Sequence, residues 1–146
     1  MNFASAGVSP AAGGVSEHKS EDLTRIGDMA RQFGVTLRAL RFYEDKGLIS
    51  PIRNGATRLY RSADKTRLKF ILLGRRVGFS LREVKQMIDL YDPQGSNVRQ
   101  LKVVLEKSER QRGRLEKQRR EIDQAIVDID GLIAEMREQL QDRTAA

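Results

Sequence analysis

The feature that most constrains this chain is an apolar seam running through its last third. Stepping by alternating threes and fours, the seam positions are Leu101, Leu105, Ser108, Arg112, Leu115, Arg119, Ile122, Ile126, Ile129, Ile133, Met136 and Leu140. Nine of the twelve are apolar, and residues 97–141 contain no proline. A 3.5-residue period kept for more than five heptads specifies one long helix that coils about another. At 1.5 Å per residue that helix is roughly 65 Å long. Nothing earlier in the chain is large enough to cover it, so a second copy is the expected partner. Ser108, Arg112 and Arg119 interrupt the seam, and the two arginines can snorkel outward.

Charge along this helix sets an orientation. Residues 99–120 hold nine Lys/Arg and three Glu, giving +6, while residues 121–143 hold two Arg and seven Asp/Glu, giving −5. A parallel pair would lay like charges together, and an antiparallel pair lays basic on acidic along both halves. The expectation is an antiparallel homodimer, although each exposed ion pair contributes only ~0–1 kcal/mol.

The 146 residues suffice for about one ordinary domain plus this extension. Formal net charge is +7, which points to an anionic partner without choosing among nucleic acid, membrane and acidic protein. The sequence has no cysteine, which removes disulfides, thiolate metal sites and thiol redox sensing. It has one histidine, His18, and no His, Asp and Glu cluster of the kind that holds zinc is apparent, so no metal site is expected. No apolar run approaches the ~18–20 residues of a membrane span. The start MNFASAGVSPAAGGVSEHKS lacks a basic leader followed by an apolar core, so the expected location is the cytoplasm. No Ser-His-Asp set, carboxylate pair or phosphate loop is apparent, so neither an enzyme nor a cofactor is expected.

The pattern predicts a mainly α chain. Residues 1–22 are rich in Ala, Gly, Ser and Pro with no period, and read as a disordered tail. Thr24 reads as the cap of a first helix whose face carries Ile26, Met29, Ala30 and Phe33. Gly34 stops it. Thr36 caps a second helix that ends at Gly47. Two short helices with so tight a link are a helix-turn-helix. Pro51 and the Asn54-Gly55 turn signal make residues 48–60 a two-stranded wing. Ser62 reads as the cap of a third helix, and Ser80 with Glu83 as the capping box of a fourth. Asp92-Pro93-Gln94-Gly95-Ser96 breaks the chain. The expected organisation is a tail over 1–22, a winged helix-turn-helix over 23–92 and a coiled-coil helix over 97–141.

The stretch LRALRFYEDKGL, residues 37–48, puts two arginines beside an aromatic pair on one short helix. Leu37 and Leu40 can pack inward, while Arg38, Arg41 and Phe42 lie on other faces. Residues 23–92 hold fifteen Lys/Arg and seven Asp/Glu, or +8. Such a helix can enter a major groove, its arginines meeting guanine edges or phosphates and its aromatics the sugar–phosphate wall. Arg53, Arg58 and Arg61 make the wing basic. The competing reading for Phe42 and Tyr43 is core packing, and for Arg38 and Arg41 it is plain solvation.

The run from TRIGDMARQFGV through RFYEDKGLI, RLYRSADKTRLKFI and LGRRVGFSLREV resembles the amino-terminal domain of the MerR family of bacterial transcription regulators. The resemblance implies a winged helix-turn-helix dimer held by an antiparallel coiled coil on a pseudo-palindromic promoter site. There it kinks and untwists the DNA and so controls initiation by bacterial RNA polymerase. Carried over by position, the DNA contacts are Arg38, Arg41, Phe42 and Tyr43 on the second helix and Arg58 and Tyr60 on the wing, and Thr36 at the start of that helix and the basic wing residue Arg53 complete the expected DNA-binding set. Two residues depart from the family pattern. Phe42 lacks the hydroxyl of the usual tyrosine, and Thr57 replaces the usual wing tyrosine. Without cysteine, the metal- and redox-sensing branches are set aside. Gly78 to Leu81 and Asp89 to Pro93 resemble the leucine and isovalerate catabolism regulators. A small organic effector is then expected where the fourth helix meets the partner's coil, near Met87 and Tyr91. The rival readings are an effector-free architectural DNA-binding protein and a coiled-coil adaptor.

Overall fold

The computed structural model describes residues 22–145, so the expected tail lies outside the described residues except for Asp22. In chain order the elements are β1 (Thr24–Arg25), α1 (Ile26–Phe33), α2 (Leu37–Asp45), β2 (Ile52–Asn54), β3 (Thr57–Tyr60), α3 (Ser62–Arg76), α4 (Leu81–Asp89) and α5 (Val98–Ala145). They divide into one unit reaching Leu101 and a second beginning at Lys102.

In the first unit the helix-turn-helix forms as its sequence predicts. Gly34 takes φ +64°, a conformation that lacks steric penalty only for glycine, and Val35 N–H closes the end of α1 on Ala30 O at 3.0 Å. The Thr36 hydroxyl accepts from Ala39 N–H at 3.0 Å and so starts α2. Met29 and Ala30 from α1 and Leu40 from α2 are buried as the apolar spacing requires, whereas Ile26 and Phe33 are half-buried and Leu37, expected to pack inward, is exposed.

The start of α1 differs from expectation. Thr24 does not cap it. Instead Thr24 pairs with Tyr60 and Arg25 with Leu59, adding a short antiparallel strand to the wing. Arg25 takes the cap position and offers no side-chain cap. The wing is therefore a three-stranded sheet in the order β1-β3-β2. The hairpin register is Ile52↔Leu59, Arg53↔Arg58 and Asn54↔Thr57, turned at Gly55 with φ +63°. Pairing with β1 satisfies the backbone of β3 on its second edge, which a two-stranded wing leaves open.

Ser62 is also not the cap of α3. The carboxylate of Asp64, itself buried, accepts from Arg61 N–H and from Ser50 N–H, each at 3.1 Å. One side chain thus starts α3 and ties it to the loop after α2. Arg67 repeats the tie by donating Nε–H to Leu48 O at 2.7 Å. The Ser80–Glu83 capping box forms as expected, with bonds of 2.9 and 3.1 Å. Leu68 and Ile71 of α3 pack with Val84, Met87 and Ile88 of α4 in the core. Gly74 permits this closeness, since a Cβ there would lie 2.7 Å from Val84 Cγ2. After the 92–96 break, Asn97 adopts φ +59° while its amide donates to Asp92 O at 3.0 Å. Gln100 is buried and donates to Met87 O at 3.0 Å.

The second unit is the remainder of α5. The helix is continuous over 48 residues, roughly 72 Å at 1.5 Å per residue. Its apolar seam from Leu105 to Leu140 is bare: each of the eight apolar positions is at least 41 % exposed.

Candidate nucleic-acid interface

The outward face of α2 carries Arg38, Arg41 and Phe42, all exposed. Phe42 is 44 % exposed, so it is not a core residue. Its ring stands 6.0 Å from that of the half-buried Tyr43, tilted by 56°. Lys46 Nζ lies 5.5 Å from the Phe42 ring centre, a cation–π contact that holds an ammonium on this face. Thr36 opens the same helix, exposed, with its hydroxyl engaged in the cap.

The wing is fastened to α2 by a residue the sequence reading passed over. Glu44 accepts from Arg53 Nη2 at 2.6 Å and from Arg58 Nε at 2.8 Å. Burial alone would raise the Glu44 pKa, but the hydrogen bonds and charges of the two arginines outweigh it and hold the carboxyl below its ordinary value. In the sequence Glu44 looks like solvent-facing charge. Only the hairpin register shows that two arginines converge on it.

Tyr60 needs correction. It is 0 % exposed and packs in the core, so it presents no surface to DNA in this structure. The alternation of β3 turns it inward beneath the sheet, and its hydroxyl has no hydrogen-bond partner among the described residues. Burial raises its pKa, and the nearby Glu44 charge adds to the rise. Met87 is likewise fully buried, so it offers no surface to a ligand in this structure. Tyr91, by contrast, is exposed.

Between α1, α2 and the wing lies a cleft of about 440 Å³. Arg25, the first turn of α1, Arg31, Arg41 and the wing residues Ala56, Thr57 and Arg58 line it. Four arginines and one acidic residue, Asp28, thus line it, and Asp28 pairs with Arg31. Arg25 and Arg31 were not expected in the site. Their only sequence signal is the local excess of positive charge. Among the described residues no cluster of three or more His, Asp or Glu could hold a metal, and no helix is long and apolar enough to cross a membrane.

Comparison with known proteins places this geometry. The model of the MerR HTH family regulatory protein matches residues 24–91, and that of the MerR DNA-binding region matches residues 65–132. The chain belongs to the MerR family. Among MerR relatives, a mercuric resistance operon regulatory protein of Pseudomonas fluorescens is 41 % identical over 78 residues, covering 52 % of this chain and 54 % of that protein. The match thus spans about half the length of this curated relative. A MerR-family regulator from Bacillus cereus superposes with a TM-score of 0.60 at 28 % identity, covering 74 % of this chain and 78 % of that one. The amino-terminal part of MtaN, the Bacillus subtilis multidrug transporter activator, gives 0.56 at 28 % identity, covering 75 % and 97 %. This MerR-family chain therefore shares both the winged helix-turn-helix and the long carboxy-terminal helix with solved members.

Proposed function

We propose that this protein is a sequence-specific DNA-binding transcription regulator that works as an antiparallel homodimer on a pseudo-palindromic promoter site. The observation that carries the proposal is one basic face. Arg41 of α2 and Arg58 of the wing line one cleft, Arg53 and Arg58 both meet Glu44 of α2, and Arg38 and Phe42 are exposed on that same helix. α2 supplies groove contacts, and the wing and cleft hold the sugar–phosphate backbone on either side. The bare seam of α5 and its charge split support pairing with a second, reversed copy. Two reversed copies present two recognition helices, which a two-fold symmetric site matches.

Control of initiation by bending and untwisting the promoter for RNA polymerase is the mode that family membership favours. The mercuric relative does not lend its effector, because this sequence offers no thiolate. A small organic metabolite, met at the exposed Tyr91, is the signal we favour. The Gly78–Leu81 and Asp89–Pro93 resemblance points to a branched-chain catabolic operon.

The test is selection of duplex sites from a random library by the purified protein, followed by titration against selected and random DNA over a salt series. A regulator gives a specificity ratio of roughly 10³ or more, and Arg38→Ala and Arg41→Ala reduce it. A ratio near one supports the architectural reading instead, and no binding at low salt supports the adaptor.

A further inference from the structure

The wing contains an arrangement that is unfavourable on its own. The β2–β3 register sets Arg53 directly opposite Arg58. Like charges at paired positions repel, and the strands that carry them are only three and four residues long. The carboxylate between the two guanidiniums comes from α2, through Glu44. The two arginines are not equivalent. The Arg58 side chain is 24 % exposed and bonds through Nε, whereas that of Arg53 is 60 % exposed and bonds through a terminal nitrogen. The Glu44 side chain is only 13 % exposed and so requires a cation that stays. Arg58 is that cation, because one inward guanidinium is enough to neutralise one carboxylate. Arg53 is in excess, at the surface, and able to turn to another anion.

We propose that Glu44 is a positioning residue that docks the wing on the recognition helix, and that Arg53 leaves Glu44 for a backbone phosphate on DNA binding while Arg58 remains. This rests on the reading that α2 and the wing bind DNA. Glu44 then fixes the distance between groove contact and backbone contact, and stands in for the phosphate in the free protein. A phosphate is a suitable replacement, since it accepts charge-assisted bonds from a guanidinium as a carboxylate does.

The experiment uses the full-length protein with Glu44→Gln, Glu44→Asp and Arg53→Ala. Affinities for a selected site and for random duplex are measured over a salt series, and the Arg58 Nε–H resonance is followed by NMR with and without DNA. Glu44→Gln lowers the specificity ratio by roughly tenfold or more, the order expected for losing a charge-assisted bond. Its affinity for random DNA holds or rises, because a negative charge has left the binding face. Simple loss of fold would lower both affinities. Glu44→Asp recovers part of the ratio. Arg53→Ala reduces the log–log salt slope by about one unit and keeps the ratio, and the wild-type Arg58 resonance persists in the complex. An unchanged ratio in Glu44→Gln overturns the positioning role, and an unchanged salt slope in Arg53→Ala overturns the transfer. A wild type that binds no duplex DNA overturns the underlying reading, whereas a binding wild type with indifferent variants overturns this proposal alone.

Discussion

Replacing Tyr60 by Phe should stabilise this protein. Tyr60 is fully buried, and its hydroxyl finds no hydrogen-bond partner among the described residues. Removing a hydroxyl from water without returning a bond costs about 1–3 kcal/mol in proteins. Phenylalanine keeps the ring and its packing and deletes only the oxygen, so the expected gain is on the order of 1–2 kcal/mol. Urea denaturation at one fixed protein concentration measures it, since association would otherwise shift the midpoint. The midpoint should rise with the slope unchanged. An alkaline series gives a second reading. The folded pKa of Tyr60 is raised, so the folded state holds its proton more tightly than the unfolded state. Wild-type stability from this group is therefore complete below the unfolded value near 10 and is lost as pH rises through the folded value. The advantage of Tyr60→Phe should widen above about pH 10. Operator affinity should not change. A loss of about 1 kcal/mol or more would show that the hydroxyl has a partner. Weakened DNA binding at unchanged stability would return Tyr60 to the interface.

Three further outcomes follow from the geometry. Ile126→Asp combined with Ile129→Asp puts carboxylates into the seam and should yield monomers by sedimentation, and a dimeric double mutant would refute pairing through α5. Gly74→Ala forces a methyl to within 2.7 Å of Val84 Cγ2 and should cost about 1–3 kcal/mol of overpacking, partly offset by about 1 kcal/mol of helix propensity. Adding Val84→Ala should recover much of that loss, and chemical denaturation of the single and double mutants decides. Thr36→Ala should lose about 1 kcal/mol in the absence of DNA, and Thr36→Ser should restore it, because the hydroxyl caps α2.

The parts of this fold that were legible in the sequence are those written in neighbouring residues. Gly34 beside Thr36, Asn54-Gly55 between strands, and Ser80 with Glu83 each encode a local geometry within four residues, and each appears where expected. What escaped depends on partners distant in sequence. β1 is two residues long, too short to show alternation, and exists because β3 presents a free edge to it, pairing Thr24 with Tyr60 and Arg25 with Leu59. Asp64 captured the start of α3 from Ser62 because it also bonds Ser50, fourteen positions away. The candidate site divides in the same way. The α2 arginines and Phe42 could be placed from helical spacing, which also sends them outward. Tyr60 could not, because its face depends on a strand register that slips by one residue to give the opposite answer. Glu44, Arg25 and Arg31 join the site only through the folded meeting of α1, α2 and the wing.

The bare seam of α5 has a consequence outside any promoter. An apolar stripe on a single helix is the kind of surface that chaperones and proteases act on in a crowded cell. A second chain that covers the stripe protects it, and mass action makes that protection grow with concentration. Where two chains pair in this way, a newly made chain diluted below the pairing constant is short-lived, while a chain above it persists. If α5 pairs in this way, the abundance of the protein has a floor set by one helix.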